Sequence, residues 1–189
     1  MLTGKQPPPV RPWQTGDLKP APLTRRELHD LLARMPVNHV LGLRVARVWK
    51  DGLTMEIEVR DELKNALGTL HGGVTATLVD VATGMALVGH YGGQRRMTTV
   101  NLNVNYLRPV TDGLVRARAR FIKLGRTLAV IGCEVKDTHG HLIATALVTY
   151  MMLHGGGNPP SPDAEGAAGQ GPKKGGKSLW QQWLGPVPE

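Results

Sequence analysis

A chain of 189 residues with a single cysteine, Cys133, and no CxxC spacing excludes an intrachain disulfide framework and a cysteine-based metal site. Hydrophobic residues at 41% allow a packed core, and aromatics at 4% make that core aliphatic. The net charge of +8 is concentrated: residues 91–153 hold nine Lys and Arg against three acids, whereas 23–90 and 154–189 are balanced. Such an excess suits a polyphosphate ligand or nucleic acid. The scarcity of stacking aromatics argues against nucleic acid.

Residues 1–22 hold six prolines, no periodic apolar pattern and no apolar signal region. We read them as a disordered tail on a cytoplasmic protein, and the lone thiol fits a reducing compartment. Residues 154–189 begin Gly/Pro-rich and read as a second such tail, with a terminal SLWQQWLG whose role the sequence leaves open. The domain between them spans 23–153.

Thr24 with Glu27 forms a capping box opening a helix over 25–34, with Leu28, Leu31 and Leu32 on one face, which stops before Pro36. Leu43, Val45, Val48 and Trp49 then suggest a strand with a slip near its end. Asp51-Gly52 is a hairpin turn, and Leu53, Met55, Ile57 and Val59 alternate with polar residues as a half-buried strand. The apolar segment 74–91 reads as one long buried helix, because a carboxylate at position 80 penalises a membrane span. Strands follow over 98–107, 114–124, 127–136 and 143–153, separated by Asp112-Gly113, Gly125 and His139-Gly140. The order predicts an α+β domain in which consecutive strands form an antiparallel sheet around one long helix.

Asp80 is the only charged residue between Val74 and Tyr91. Burying a carboxylate costs several kcal/mol, roughly, unless it is paired, hydrogen-bonded or hydrated. Gly73, Thr77, Asp80 and Gly84 share one helical stripe whose small residues leave space beside the carboxylate. His71-Gly72-Gly73 supplies the helix N-terminus, where free N–H groups and the dipole favour a developing oxyanion. Asn65 lies in the entering loop. One short stretch thus offers an amide, an imidazole, an oxyanion site and a carboxylate, which is the chemistry of adding water to a polarised carbonyl.

In the context NALGTLHGGVTATLVDVATGMA, Asn65, His71-Gly72-Gly73 and Asp80 resemble the motif of hotdog-fold thioesterases of the phenylacetate-pathway (PaaI) type, over about residues 36–153. The resemblance implies a hotdog fold and hydrolysis of acyl-CoA to free acid and CoA. It gives Asp80 the role of base or nucleophile, Gly72 and Gly73 the carbonyl oxygen, Asn65 the carbonyl or water, and His71 the sulfur side. It also implies a hydroxyl from the next strand, which Thr98 or Thr99 would supply, and a homodimer or a tetramer made of two dimers. Coenzyme A enters as part of the substrate, with no separate cofactor and no metal. Its phosphates would meet Arg108, Lys123, Gly125 and Arg126.

Plainer readings stand beside these. Asp80 could be a structural carboxylate, His71 a helix-entry residue bonded to backbone, Asn65 a turn former and Cys133 a small buried hydrophobe. Arg116, Arg118 and Arg120 alternate and read as a solvated strand face. A hotdog hydratase or dehydratase and a non-catalytic acyl-CoA-binding hotdog protein are the competing functions. The acyl group is left open by an aliphatic wall near Met85, Leu87 and Val88.

Overall fold

In a computed structural model the described residues are 21–153. The expectations for residues 1–20 and 154–189 lie outside them. Helix α1 runs Arg25–Ala33, and its capping box is complete: the Glu27 amide donates to Thr24 Oγ1, and the Glu27 carboxylate accepts from the Thr24 amide at 2.8 Å. Leu28, Leu31 and Leu32 are buried as their spacing requires. Pro36 does stop α1 but also starts a second helix, α2 (Pro36–Leu41), which the sequence reading missed. Proline's fixed φ and missing N–H suit the first helical position as well as they terminate a preceding helix. Gly42 ends α2 in the left-handed region at φ 72°, and the Arg60 guanidinium donates to the Val40 and Leu41 carbonyls.

Strands β1 (Arg44–Trp49) and β2 (Gly52–Glu58) form the expected hairpin, with a bulge between Val45 and Arg47. A Cβ at Gly52 would lie 2.1 Å from the Ala119 carbonyl, so the turn needs glycine there. Helix α3 covers Gly72–His90, and β3 (Met97–Tyr106), β4 (Leu114–Leu124), β5 (Leu128–Lys136) and β6 (Leu142–Met152) complete the chain. Thr127 lies in the turn rather than the strand; its carbonyl accepts from the Met152 amide.

All six strands form one antiparallel sheet in the order β1-β2-β4-β5-β6-β3. Pairing between consecutive strands therefore holds for β1–β2, β4–β5 and β5–β6 but not throughout. From β2 the chain crosses the whole sheet through α3 to lay β3 on the far edge, and β4 returns beside β2. That crossing lays α3 over one face of the sheet. Alternate residues Val115, Ala117 and Ala119 of β4, Ala129, Ile131, Cys133 and Val135 of β5, and Ala144, Val148, Tyr150 and Met152 of β6 are buried on that face. The result is the α+β hotdog architecture, a sheet wrapped on one central helix. α3 has the length and a mean hydropathy of 1.4 that a membrane span would have, but 56% of that stretch is buried against this chain's own sheet.

Helix α1 docks on the C-terminal end of α3. Leu28 is fully buried and meets Gly89, where a Cβ would come within 3.2 Å of its side chain. Removing Leu28 to alanine would cost about 2–5 kcal/mol by transfer and cavity terms.

Candidate active site

Two faces of α3 differ in chemistry. Leu78, Val79, Ala82, Met85, Ala86 and Leu87 are buried, whereas Gly73 is exposed and Ala76, Thr77, Asp80 and Gly84 are half-buried. The small stripe read from the sequence is thus the part of the helix that reaches the surface, beside edge strand β3. Small side chains flank the half-buried Asp80 along that strip.

Three hydroxyls gather at Asp80. Thr99 donates to its Oδ1 at 2.9 Å, from β3. The Tyr150 phenol lies 2.8 Å from the Asp80 main-chain carbonyl and 3.2 Å from Oδ1, from β6. Thr83, one turn along α3, lies 2.9 Å from the same phenol. Oδ2 has no partner among the described residues. The choice between Thr98 and Thr99 is settled by register: Met97 and Thr99 pair with Met152 and Tyr150 and face α3, whereas Thr98 pairs with Met151 on the outer face. Tyr150 was missed by the sequence reading. In a strand that alternates, a lone tyrosine reads as core, and nothing local marks its hydroxyl.

The N-terminal turn of α3 is built by His71. Its backbone N–H is held by the Leu63 carbonyl, its carbonyl accepts from Val74 and Thr75, and its Nδ1 accepts from the Gly73 amide at 2.9 Å. Neutral His71 therefore carries its proton on Nε2 and presents a donor to solvent. Gly73's N–H is occupied by this cap, while the Gly72 N–H meets no acceptor among the described residues. Of the two amides expected for an oxyanion, Gly72's is open. The Tyr106 ring, from the end of β3, packs where a Gly72 Cβ would stand 3.4 Å away, and its hydroxyl donates to the Gly72 carbonyl at 2.9 Å. The ring thus lies in van der Waals reach of the backbone at the start of the helix.

Asn65 folds onto its own loop. Its Oδ1 accepts from the Leu67 and Thr69 amides and its Nδ2 donates to Thr69 Oγ1 at 3.0 Å. That is the turn-forming behaviour of an Asx residue, and it leaves one amide hydrogen unassigned.

The four expected phosphate-binding residues separate into two places. Arg108 follows β3 at the α3 N-terminal end, between Tyr106, which touches Gly72, and Val110, whose carbonyl accepts from Leu70. Lys123, Gly125 and Arg126 lie at the β4–β5 turn, beside Thr127, Met152 and the start of β3. A strand of ten residues, ~30 Å, separates the two places within one chain. Gly125 is dictated by its turn: a Cβ would sit 2.3 Å from the Leu128 carbonyl. The Arg116, Arg118 and Arg120 stripe pairs with acids on the outer face, Arg116 with Glu56, Arg118 with Asp51, and Arg120 with Asp51 and Glu134. No group of three or more potential metal ligands occurs among the described residues.

The sheet's two edges also differ. β1 is short, and Arg25 Nε donates to its Val45 carbonyl. β3 runs ten residues with no strand on its outer side among the described residues, and Val100, Leu102, Tyr106 and Leu107 are exposed along it. Edges of that length and character invite pairing.

Comparison with known proteins places this geometry. The family model described as Thioesterase superfamily matches residues 67–144, which run from the α3 entry loop into the start of β6. The medium/long-chain acyl-CoA thioesterase YigI of Escherichia coli is 30% identical over 133 residues, covering 62% of this chain and 86% of its own. The Caenorhabditis elegans protein F42H10.6 is 43% identical over 108 residues, and the chain spans 63% of its length. The crystal structure of thioesterase HI1161 from Haemophilus influenzae superposes with a TM-score of 0.66 at 26% identity, covering 70% of this chain and 92% of that one. The helix with its half-exposed carboxylate, the six-stranded wrap and these likenesses agree, and the chain belongs to the thioesterase superfamily of hotdog-fold thioester hydrolases.

Proposed function

We propose that the protein hydrolyses acyl-CoA thioesters to free acid and CoA, in the manner of the PaaI-type enzymes, with Asp80 as general base or nucleophile. The observation that carries this is the Asp80 carboxylate itself: Oδ1 is held by neutral hydroxyls and Oδ2 meets no partner among the described residues. A thioester carbonyl lying along the small-residue stripe would meet the Gly72 N–H at the positive end of α3. Oδ2 would take a proton from water, or attack the carbon directly. His71 Nε2–H points outward from the same turn and would face the sulfur as CoA leaves. Asn65 would act through its one unassigned hydrogen.

In this reading the site is completed by a second copy. Antiparallel pairing of β3 with β3 of another copy lays the first residues of one strand against the last residues of the other. Lys123 and Arg126 of one copy then approach Arg108 and the Gly72 turn of its mate, which reunites the basic residues that one chain separates. A dimer, or a pair of dimers, is the assembly that follows.

Free-thiol release from short, medium, long and aryl acyl-CoAs, run beside the Asp80→Asn protein, tests the reaction and ranks the acyl groups. Release that disappears with Asp80→Asn supports it. No release from any ester by a folded protein overturns hydrolysis and favours an acyl-CoA-binding role. Light scattering on Val100→Lys, which puts a charge on the β3 edge, tests the assembly: a monomer with lost turnover is expected.

A further inference from the structure

The half-exposed stripe of α3 ends at Gly84, and what fills the space beside that glycine is the phenol of Tyr150. A Cβ at position 84 would stand 3.3 Å from the Tyr150 hydroxyl and 3.8 Å from Cζ. The ring itself is 3% exposed. A tyrosine buried to that degree normally has its hydroxyl satisfied, and here the acceptors available are two atoms of Asp80 and one of Thr83.

The directions of the bonds follow from the geometry at the phenol. Tyr150 has one O–H and Thr83 has one. If Tyr150 donated to Thr83, its oxygen would face the Asp80 carbonyl and Oδ1 with no hydrogen of its own between them, in a buried place. Thr83 Oγ1 donates along the helix to the Val79 and Asp80 carbonyls, at 2.9 and 3.1 Å, and lies 2.9 Å from the phenol oxygen, while the phenol donates to the Asp80 carbonyl and Oδ1. Burial, and then the charge of Asp80, push the Tyr150 hydroxyl well above the ordinary tyrosine range, so it stays protonated and stays a donor.

We propose that Tyr150 is a positioning residue for Asp80: seated in the gap left by Gly84, it fixes the carboxylate through Oδ1, jointly with Thr99, and keeps Oδ2 turned to the substrate. Thr99 comes from β3 and Tyr150 from β6, neighbours paired residue to residue in the sheet, so the two donors are held at a fixed separation by the ladder between them. Thr83 orients the phenol from the helix side. The carboxylate is thereby held in one rotamer, and the stripe's last glycine is explained by the ring it admits. This rests on the reading of Asp80 as the reacting group.

The test measures kcat and KM for Tyr150→Phe, Gly84→Ala and Asp80→Asn on the same acyl-CoA, below the melting midpoint of each protein. A lost hydrogen bond to a charged group corresponds to about a 10- to 100-fold fall in rate. Tyr150→Phe is expected to lower kcat by that factor with KM within about twofold, because the phenol touches the carboxylate rather than the substrate. Gly84→Ala, which forces the phenol to shift by a few tenths of an ångström while leaving it present, is expected to lower kcat in the same way by a smaller factor. Wild-type kcat in both variants, with Asp80→Asn inactive, overturns the positioning role and leaves the Asp80 reading intact. Turnover retained by Asp80→Asn overturns the Asp80 reading and the positioning role with it. A rise in KM at unchanged kcat also overturns the proposal, since it would place Tyr150 in the binding wall.

Discussion

Asp51 and Asp80 carry the same side chain in the same sheet-and-helix unit, and their surroundings are opposites. Asp51 stands at the β1–β2 turn on the outer face, where the Arg118 guanidinium bonds it and Arg120 stands 3.9 Å away. Its carboxyl is held below the ordinary 3.8, chiefly by that bond from Arg118. Asp80 is half-buried on the helix, and both donors to Oδ1 are neutral hydroxyls. A guanidinium neutralises the carboxylate it binds and occupies it. Hydroxyls orient a carboxylate and leave its negative charge for whatever enters next. The surface pair is a closed unit, and the helix carboxylate is an open one.

The largest break in that contrast is Asp80→Asn, which keeps the shape and removes the charge. Turnover should fall by about 10²–10⁴-fold, the range of general base contributions, with an unchanged circular dichroism spectrum. Thr99→Ala comes next, with kcat reduced about tenfold for a lost charge-assisted bond, while Thr98→Ala, on the outer face, should match wild type in the same assay. Asp51→Asn should leave turnover unchanged and cost no more than ~1 kcal/mol, as exposed ion pairs do. Because the folded-state pKa of Asp51 is depressed, its contribution is present at neutral pH and is lost as pH falls through that lowered value. Denaturant midpoints of wild type and Asp51→Asn should therefore differ at pH 7 and converge below about pH 4. The smallest effect is none at all: Cys133 is 4% exposed and burial, then the Glu134 charge, push its thiol up to about 12. Native protein should resist iodoacetamide at neutral pH and label once unfolded, by mass spectrometry.

Much of this was legible from residue order. Asp80 stood out because eighteen residues around it carry no other charge, and the α3 start was marked by His71-Gly72-Gly73. Strand alternation located β2, β4 and β5 closely. What escaped depends on partners far along the chain. The pairing of β3 with β6 is non-local, so neither the edge position of β3 nor the meeting of Asp80 with Tyr150, seventy residues on, has a local signature. α2 escaped because proline was weighed only as a stop. Asn65 had both a turn-forming and a catalytic reading, and its side chain is engaged mainly by its own loop.

The bulge in β3 between Thr99 and Asn101 has a consequence of its own. It acts as a half-period phase step. Before it odd-numbered residues, Met97 and Thr99, face the helix; after it even-numbered ones, Leu102, Val104 and Tyr106, do. Thr99 and Tyr106 are seven positions apart, an odd spacing that puts two side chains on opposite faces of an uninterrupted strand. With the step, one strand braces α3 at both Asp80 and Gly72. Were the same residues paired without the step, Thr99 and Tyr106 would fall on opposite faces, and the strand could then serve one end of the helix or the other, never both.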